Sequence, residues 1–264
     1  MVRTVPRSVS PPWPTEPEAS QLLLLIRDLA RLDLPALGDA PIEKARLCLI
    51  DFLSAAFESL DLATSVQARS ILTPAAGAHV IGTSLRAAPG EAAFANAVAG
   101  HGLVREDMHA GSIAHHGVVI WPALLAMAER GGFSGLRLLE AAVVGYEFGC
   151  RLGRALFDAQ LARLFRPTGL AGPIGAAAGG AYLLDLDEGS FTSAVALAAN
   201  MSGGLNQWPH SGSGDMYFHP GLAARSAVTA VALAQAGAFG SPDILEGEAG
   251  LFAAFARKPC PPLA

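Results

Sequence analysis

The sequence predicts an all-α, multi-helix fold, and three observations carry that expectation. Hydrophobic residues fill 52% of the 264 positions, against 7% aromatic and 16% charged, and 29 positions are glycine. A chain this rich in small apolar residues suits closely approaching helices better than a β-sandwich. Apolar positions also recur at three-to-four spacing, as in Ile42, Ala45, Leu49, Phe52, Leu53, Ala56 and Leu60, which defines one buried helical face. Only AHVIGT, residues 78 to 83, reads as a short strand. A chain of this length buries a sizeable core as one domain or at most two.

Taken in order, residues 1–18 form a proline-rich tail with no apolar signal segment, where repeated prolines prevent a helix. Helices are expected over 19–32 and 41–60, the second with Pro41 at its first position. Asp51 and His79 are read as structural, the former bonding a neighbouring helix end. The third helix spans 90–104, where Ala92, Ala93, Ala95, Ala97 and Ala99 permit close backbone approach. The run from 118 to 131 ends at Gly131-Gly132, and Ser134 caps a helix to about 157 in which Glu147 and Arg151 sit at ion-pair spacing. Gly/Ala-rich helices follow over 167–184 and 187–204, then an irregular Gly/Ser/Pro loop, a helix over 221–238 and a short one after Pro242. The helical domain is placed at 19–256 and a C-terminal tail at 257–264.

A net charge of −5 with only two lysines, Lys44 and Lys258, argues against nucleic acid or an anionic membrane as partner. The longest charge-free window, Pro167 to Leu184, is mostly Gly and Ala and lacks the transfer energy of a membrane span. Cys48, Cys150 and Cys260 show no metal or redox spacing; they read as reduced, and the chain as cytoplasmic.

Titratable groups gather in two loops. Four of the seven histidines lie between 101 and 116, in HGLVREDMHAGSIAHH, ahead of the apolar run VVIWPALLAMAE. The second loop, LNQWPHSGSGDMYFHPG, carries His210, Asp215, Tyr217 and His219. The two are expected to converge on one cleft lined by His115 and His219.

The segments KARLCLIDFLSAAF, AAFANAVAGH, GYEFGCRLGRAL, RPTGLAGPIGAAAGGAYLLDLD and HPGLAARSAV occur here in an order that resembles the MmgE/PrpD family, which includes 2-methylcitrate dehydratase and cis-aconitate decarboxylase. The resemblance implies a large helical domain, a smaller α/β lid domain, a homodimer, no cofactor, and elimination or isomerisation of carboxylic acids by proton abstraction. It also implies that this sequence ends where the lid begins, either as a natural half-protein with a separately encoded lid partner or as a shortened piece of a longer chain. Where the family pattern has Asp, Thr and His in the first loop, this sequence has Val104, Met108 and His115; Arg166 replaces a family histidine, and a family lysine falls near Met216.

On that basis His115 is the candidate general base, since imidazole titrates near neutral pH. Asp107, His109 and His116 either orient it or, with His219 and Asp215, bind a metal; the histidine spacing matches no recognised metal motif, and none is expected. Arg105, His116 and Arg166 are candidate substrate contacts, the arginines by clamping carboxylates or else merely pairing with Glu106 or Asp158. Asp215, Tyr217 and His219 supply an acid and a donor for an enolate-like intermediate. The leading expectation is a cofactor-independent lyase or isomerase of a small carboxylic acid. The alternative is a non-catalytic, dimer-forming helical scaffold.

Overall fold

One helix, α8 (Pro167–Leu183), is buried along its whole length except at Tyr182, and the fold is arranged around it. A helix apolar on every side has to be enclosed by others. The computed structural model describes residues 19–30 and 38–264; the predicted proline-rich tail and the end of the first predicted helix lie outside them.

The chain starts with α1 (Gln21–Ala30), α2 (Ala40–Glu58) and α3 (Ala63–Ser70). A two-stranded antiparallel hairpin, β1 (Pro74–His79) and β2 (Arg86–Ala87), leads into α4 (Pro89–His101). After the first loop come α5 (Gly117–Gly131), α6 (Gly135–Leu156), α7 (Ala159–Leu164), α8 and α9 (Glu188–Asn200). The second loop holds a one-turn helix, α10 (Trp208–Ser211), before α11 (His219–Gln235) and a π-helical turn at Phe252–Ala256. The all-α class holds, with β1 and β2 the one exception among the described residues.

The boundaries follow local chemistry. Pro41 opens α2, Ser134 Oγ accepts the Arg137 N–H, and α5 stops at Gly132, whose φ of 68° is left-handed. The Glu147–Arg151 pair forms at 3.0 Å, and Arg151 also reaches Asp28 on α1. His79 is half-exposed and pairs with Glu129 and Arg86, in keeping with a structural role.

Three expectations need correction. The strand is earlier than AHVIGT, because pairing with Arg86 and Ala87 fixes it at Pro74–His79 while Gly82, at φ 72°, turns the chain. The second loop contains α10 and a 3-10 turn at Asp215–Tyr217 where no regular structure was expected. α3 and α7 were not foreseen; α7 is short and rests on its Asp158 cap, which accepts the Leu161 N–H at 2.8 Å. In the C-terminal segment, Leu263 is buried against the core.

α6 and α8 make the most extensive helix–helix contact, and it depends on glycine. A Cβ at Gly175 would lie 2.8 Å from the Gly145 carbonyl oxygen, and one at Gly179 would lie 2.7 Å from that of Ala141. Backbone atoms inside two packed helices have nowhere to move. Gly179→Val is therefore expected to lose about 2–3 kcal/mol of stability, read as a lowered urea midpoint with an unchanged slope; an unshifted midpoint would contradict the close approach.

Candidate active site

The first loop connects the buried end of α4 to the start of α5, and both ends are fixed. His101 closes α4 with no exposed side-chain surface, and its Nδ1 hydrogen-bonds the equally buried Glu106. Its Nε2 lies 2.9 Å from Arg166 Nη2 at the start of α8. A guanidinium can only donate, so Nε2 accepts, and the bonds assign the His101 proton to Nδ1, where it is donated to Glu106. A carboxylate and an arginine are thus linked through one neutral imidazole.

His115 joins the same carboxylate. Its Nδ1 lies 3.2 Å from the same Glu106 oxygen, without the alignment of a full hydrogen bond. Its backbone N–H donates to Thr168 Oγ1 at 3.0 Å, which ties the loop to α8, and its ring meets that of His101 edge-on at 5.3 Å. The second loop reaches this group from the other side. The Tyr217 ring is 6.3 Å from that of His101. The Arg166 N–H donates to the Gly204 carbonyl, and Gly204, at φ 122°, leaves room for His219: a Cβ there would lie 3.2 Å from His219 Nδ1 and 3.4 Å from Arg166 Cβ. His115, Arg166, Tyr217 and His219 therefore belong to one cluster drawn from both loops.

Burial works to raise the Glu106 carboxyl, but the hydrogen bond from His101 and the adjacent His115 ring overcome it and hold the group at about 2. Burial pushes His101 and His219 below the ordinary histidine range, against the pull of Glu106 and Asp215 respectively. Arg166 is lowered by burial, with Glu106 opposing, and stays a cation. Four buried atoms in this cluster have no hydrogen-bond partner: Glu106 Oε2, His115 Nδ1, Arg166 Nε and His219 Nδ1. Leaving such groups dry and unpaired costs roughly 1–3 kcal/mol each, which makes this the point in the described structure best fitted to a polar ligand.

Other expected residues lie elsewhere. Asp107, His109 and His116 do not orient His115; that place is taken by Glu106. Asp107 contacts Tyr146, whose hydroxyl accepts from Trp121 Nε1 at 3.0 Å, and burial raises its carboxyl to about 6 with the Tyr146 hydrogen bond opposing. His109 and His116 meet through Ser112 on the α6 side of the loop, so they form no metal group with His219 and Asp215. Arg105 is half-exposed and pairs with Glu58 at 2.7 Å and with Ser54, not with Glu106 or Asp158. Asp215 is also half-exposed; it accepts from Ser213 and stands 4.0 Å from His219. Sequence reasoning missed His101 and Glu106 as site residues: His101 closes a run of small apolar residues, Glu106 lies between Arg105 and Asp107, and only the fold buries the two together.

The first loop also holds two β-branched residues in left-handed backbone, Val104 at φ 50° and Ile113 at φ 54°. Each costs on the order of 1–2 kcal/mol, and such strain concentrates at functional loops.

The family model for the MmgE/PrpD N-terminal domain matches residues 26–263. A cis-aconitate decarboxylase-like protein of Aspergillus oryzae is 29% identical over 88% of this chain and 50% of its own length. The cis-aconitate decarboxylase of Aspergillus terreus is 29% identical over 85% of this chain and 47% of its own. That of Homo sapiens is 31% identical over 84% and 47%. The chain spans about half the length of the curated relatives it matches. Among the described residues, no helix is long and apolar enough to cross a membrane.

Proposed function

The chain belongs to the MmgE/PrpD family, and from that premise we propose that it forms the helical half of a lyase or isomerase site that removes a proton from a small carboxylic acid. The observation that supports this reading most is the group of four unpartnered buried atoms on Glu106, His115, Arg166 and His219. With His115 Nδ1 turned to Glu106, its Nε2 is the free lone pair that takes the proton from carbon. The electron pair moves onto the substrate carboxylate, and Arg166 stabilises the resulting enolate-like charge in a site shielded from water. In this reading Tyr217 and His219 protonate the departing group. Dehydration and epimerisation share that first step, whereas decarboxylation releases carbon dioxide first and ends with a proton delivered to the carbanion so formed.

The donor set does not favour a metal at this cluster. The His101 nitrogen facing Glu106 carries a proton, and the Arg166 guanidinium repels a second cation. The reading includes two partners: a lid domain, within a longer chain or separately encoded, and a second copy of this chain. Half-exposed Leu47, Ile50 and Phe57 share the outer face of α2, an apolar surface suited to such contact.

The test is solvent exchange. Combined with a family lid domain in deuterium oxide, the protein is expected to incorporate deuterium at the carbon next to a carboxylate in cis-aconitate or 2-methylcitrate. No incorporation into any di- or tricarboxylic acid by the assembled protein would leave the non-catalytic scaffold as the better account, in line with Val104, Met108 and Met216 replacing polar residues of the family pattern.

A further inference from the structure

Thr168, in the first turn of α8, has two hydrogen-bond donors to spare, and we propose that with them it seats a carboxylate of the substrate. The inference deepens the proton-abstraction reading and rests on it for the identity of the ligand as a carboxylic acid.

The neighbouring donors are all accounted for. Pro167 has no N–H, and the Gly169 and Leu170 N–H groups both donate to the Arg166 carbonyl, at 3.0 and 3.2 Å. The Thr168 N–H is the first-turn donor left over, and among the described residues it has no acceptor. The side chain repeats the pattern. Its Oγ1 accepts the His115 N–H at 3.0 Å, which uses a lone pair and leaves the hydroxyl proton unspent. A helical threonine often gives that proton to the carbonyl four residues back. Here the Leu164 carbonyl accepts the Asn206 N–H instead, and Thr168 makes no such bond. Thr168 is only 1% exposed, so bulk water does not serve either donor. A buried helix end with unmet donors is fitted to a ligand that accepts.

Independent features make that ligand an anion. Arg166, two residues earlier, holds a buried Nε without a partner. α8 runs for 17 residues, and the positive end of its dipole lies at Thr168. The charge of Arg166 is already answered in part by Glu106 through the neutral His101 ring. A carboxylate entering the cluster therefore needs fixed donors besides the guanidinium, and Thr168 supplies two. It enters where His115, Arg166 and Tyr217 are partly exposed.

The hydroxyl also couples the seat to the base. Its lone pair holds the His115 backbone while its proton holds the carboxylate, so one residue sets the distance between the imidazole and the carbon beside that carboxylate. When the proton leaves carbon, charge develops on a group that preorganised donors already face.

Calorimetric titration with succinate, a dicarboxylate with nothing to eliminate, tests the seat without turnover. The wild-type protein is expected to bind one equivalent, and its Thr168 amide resonance to move along the same titration. Thr168→Val keeps the side-chain shape but removes the hydroxyl, and is expected to weaken binding about 10–100-fold, the loss of one hydrogen bond to a charged group. Thr168→Ser should bind within a few-fold of wild type, as should Thr229→Val, which removes a helical hydroxyl from the exposed side of α11. No succinate binding by the wild-type chain, alone or joined to a family lid domain, would overturn the proposal. So would an unmoved Thr168 amide, or full affinity in a folded Thr168→Val protein. Succinate binding that depends on Thr168, in an assembly that exchanges no carbon-bound proton, would leave the seat standing and remove the proton-abstraction reading.

Discussion

His115→Gln is expected to lower carbon-proton exchange by about 10²–10⁴-fold in an assembly that turns over, the usual contribution of a positioned general base. The side chain is suited to this substitution, because it sits at the edge of the cluster with 16% of its surface exposed and outside the apolar core. Glutamine keeps a polar group beside Glu106 and Thr168, so the loop conformation and the helical circular dichroism should persist. The loss should appear in kcat rather than KM, because proton abstraction is a transition-state function while carboxylate binding stays with Arg166. Exchange at the wild-type rate in a folded His115→Gln protein would remove His115 as the base. A rise in KM alone would make it a binding residue.

Much of this was legible in the sequence, and the limits have physical causes. α2, α5, α6 and α8 could be read from different local signals: apolar spacing and Pro41 in α2, the terminal Gly131-Gly132 in α5, the Ser134 cap in α6 and the charge-free Gly/Ala-rich run in α8. The strand was misplaced because Val80 and Ile81 look β-forming in isolation, whereas pairing depends on Arg86 and Ala87. In the site, proximity along the chain misled. His115 and His116 are neighbours, but Ile113 takes a left-handed conformation and α5 begins immediately afterwards. The two rings consequently face opposite sides of the loop, one toward Glu106 and the other toward α6. The Glu106–His101 pair was invisible for a different reason. Burial of a charged carboxylate is a tertiary event, set by where α8 places Arg166.

That carboxylate carries the second large expectation, a loss of about 3 kcal/mol at neutral pH in Glu106→Gln. A carboxyl held at about 2 instead of its ordinary 4.5 favours the folded state by an amount on that order wherever the unfolded chain is ionised. Because the folded value is depressed, this contribution is complete above about 4.5 and disappears as the pH falls toward about 2. Glutamine still accepts from His101 Nδ1, so the loss reflects the missing charge opposite Arg166 and not an orphaned donor. The difference between wild type and variant should accordingly be largest at pH 7 and narrow steadily below about 4.5, in urea unfolding followed across that range. A deficit that stays constant with pH would show that packing, not ionisation, is what Glu106 contributes. Exchange activity should fall in the same variant even when stability is restored by osmolyte, because His115 loses the carboxylate that directs its Nε2 toward substrate.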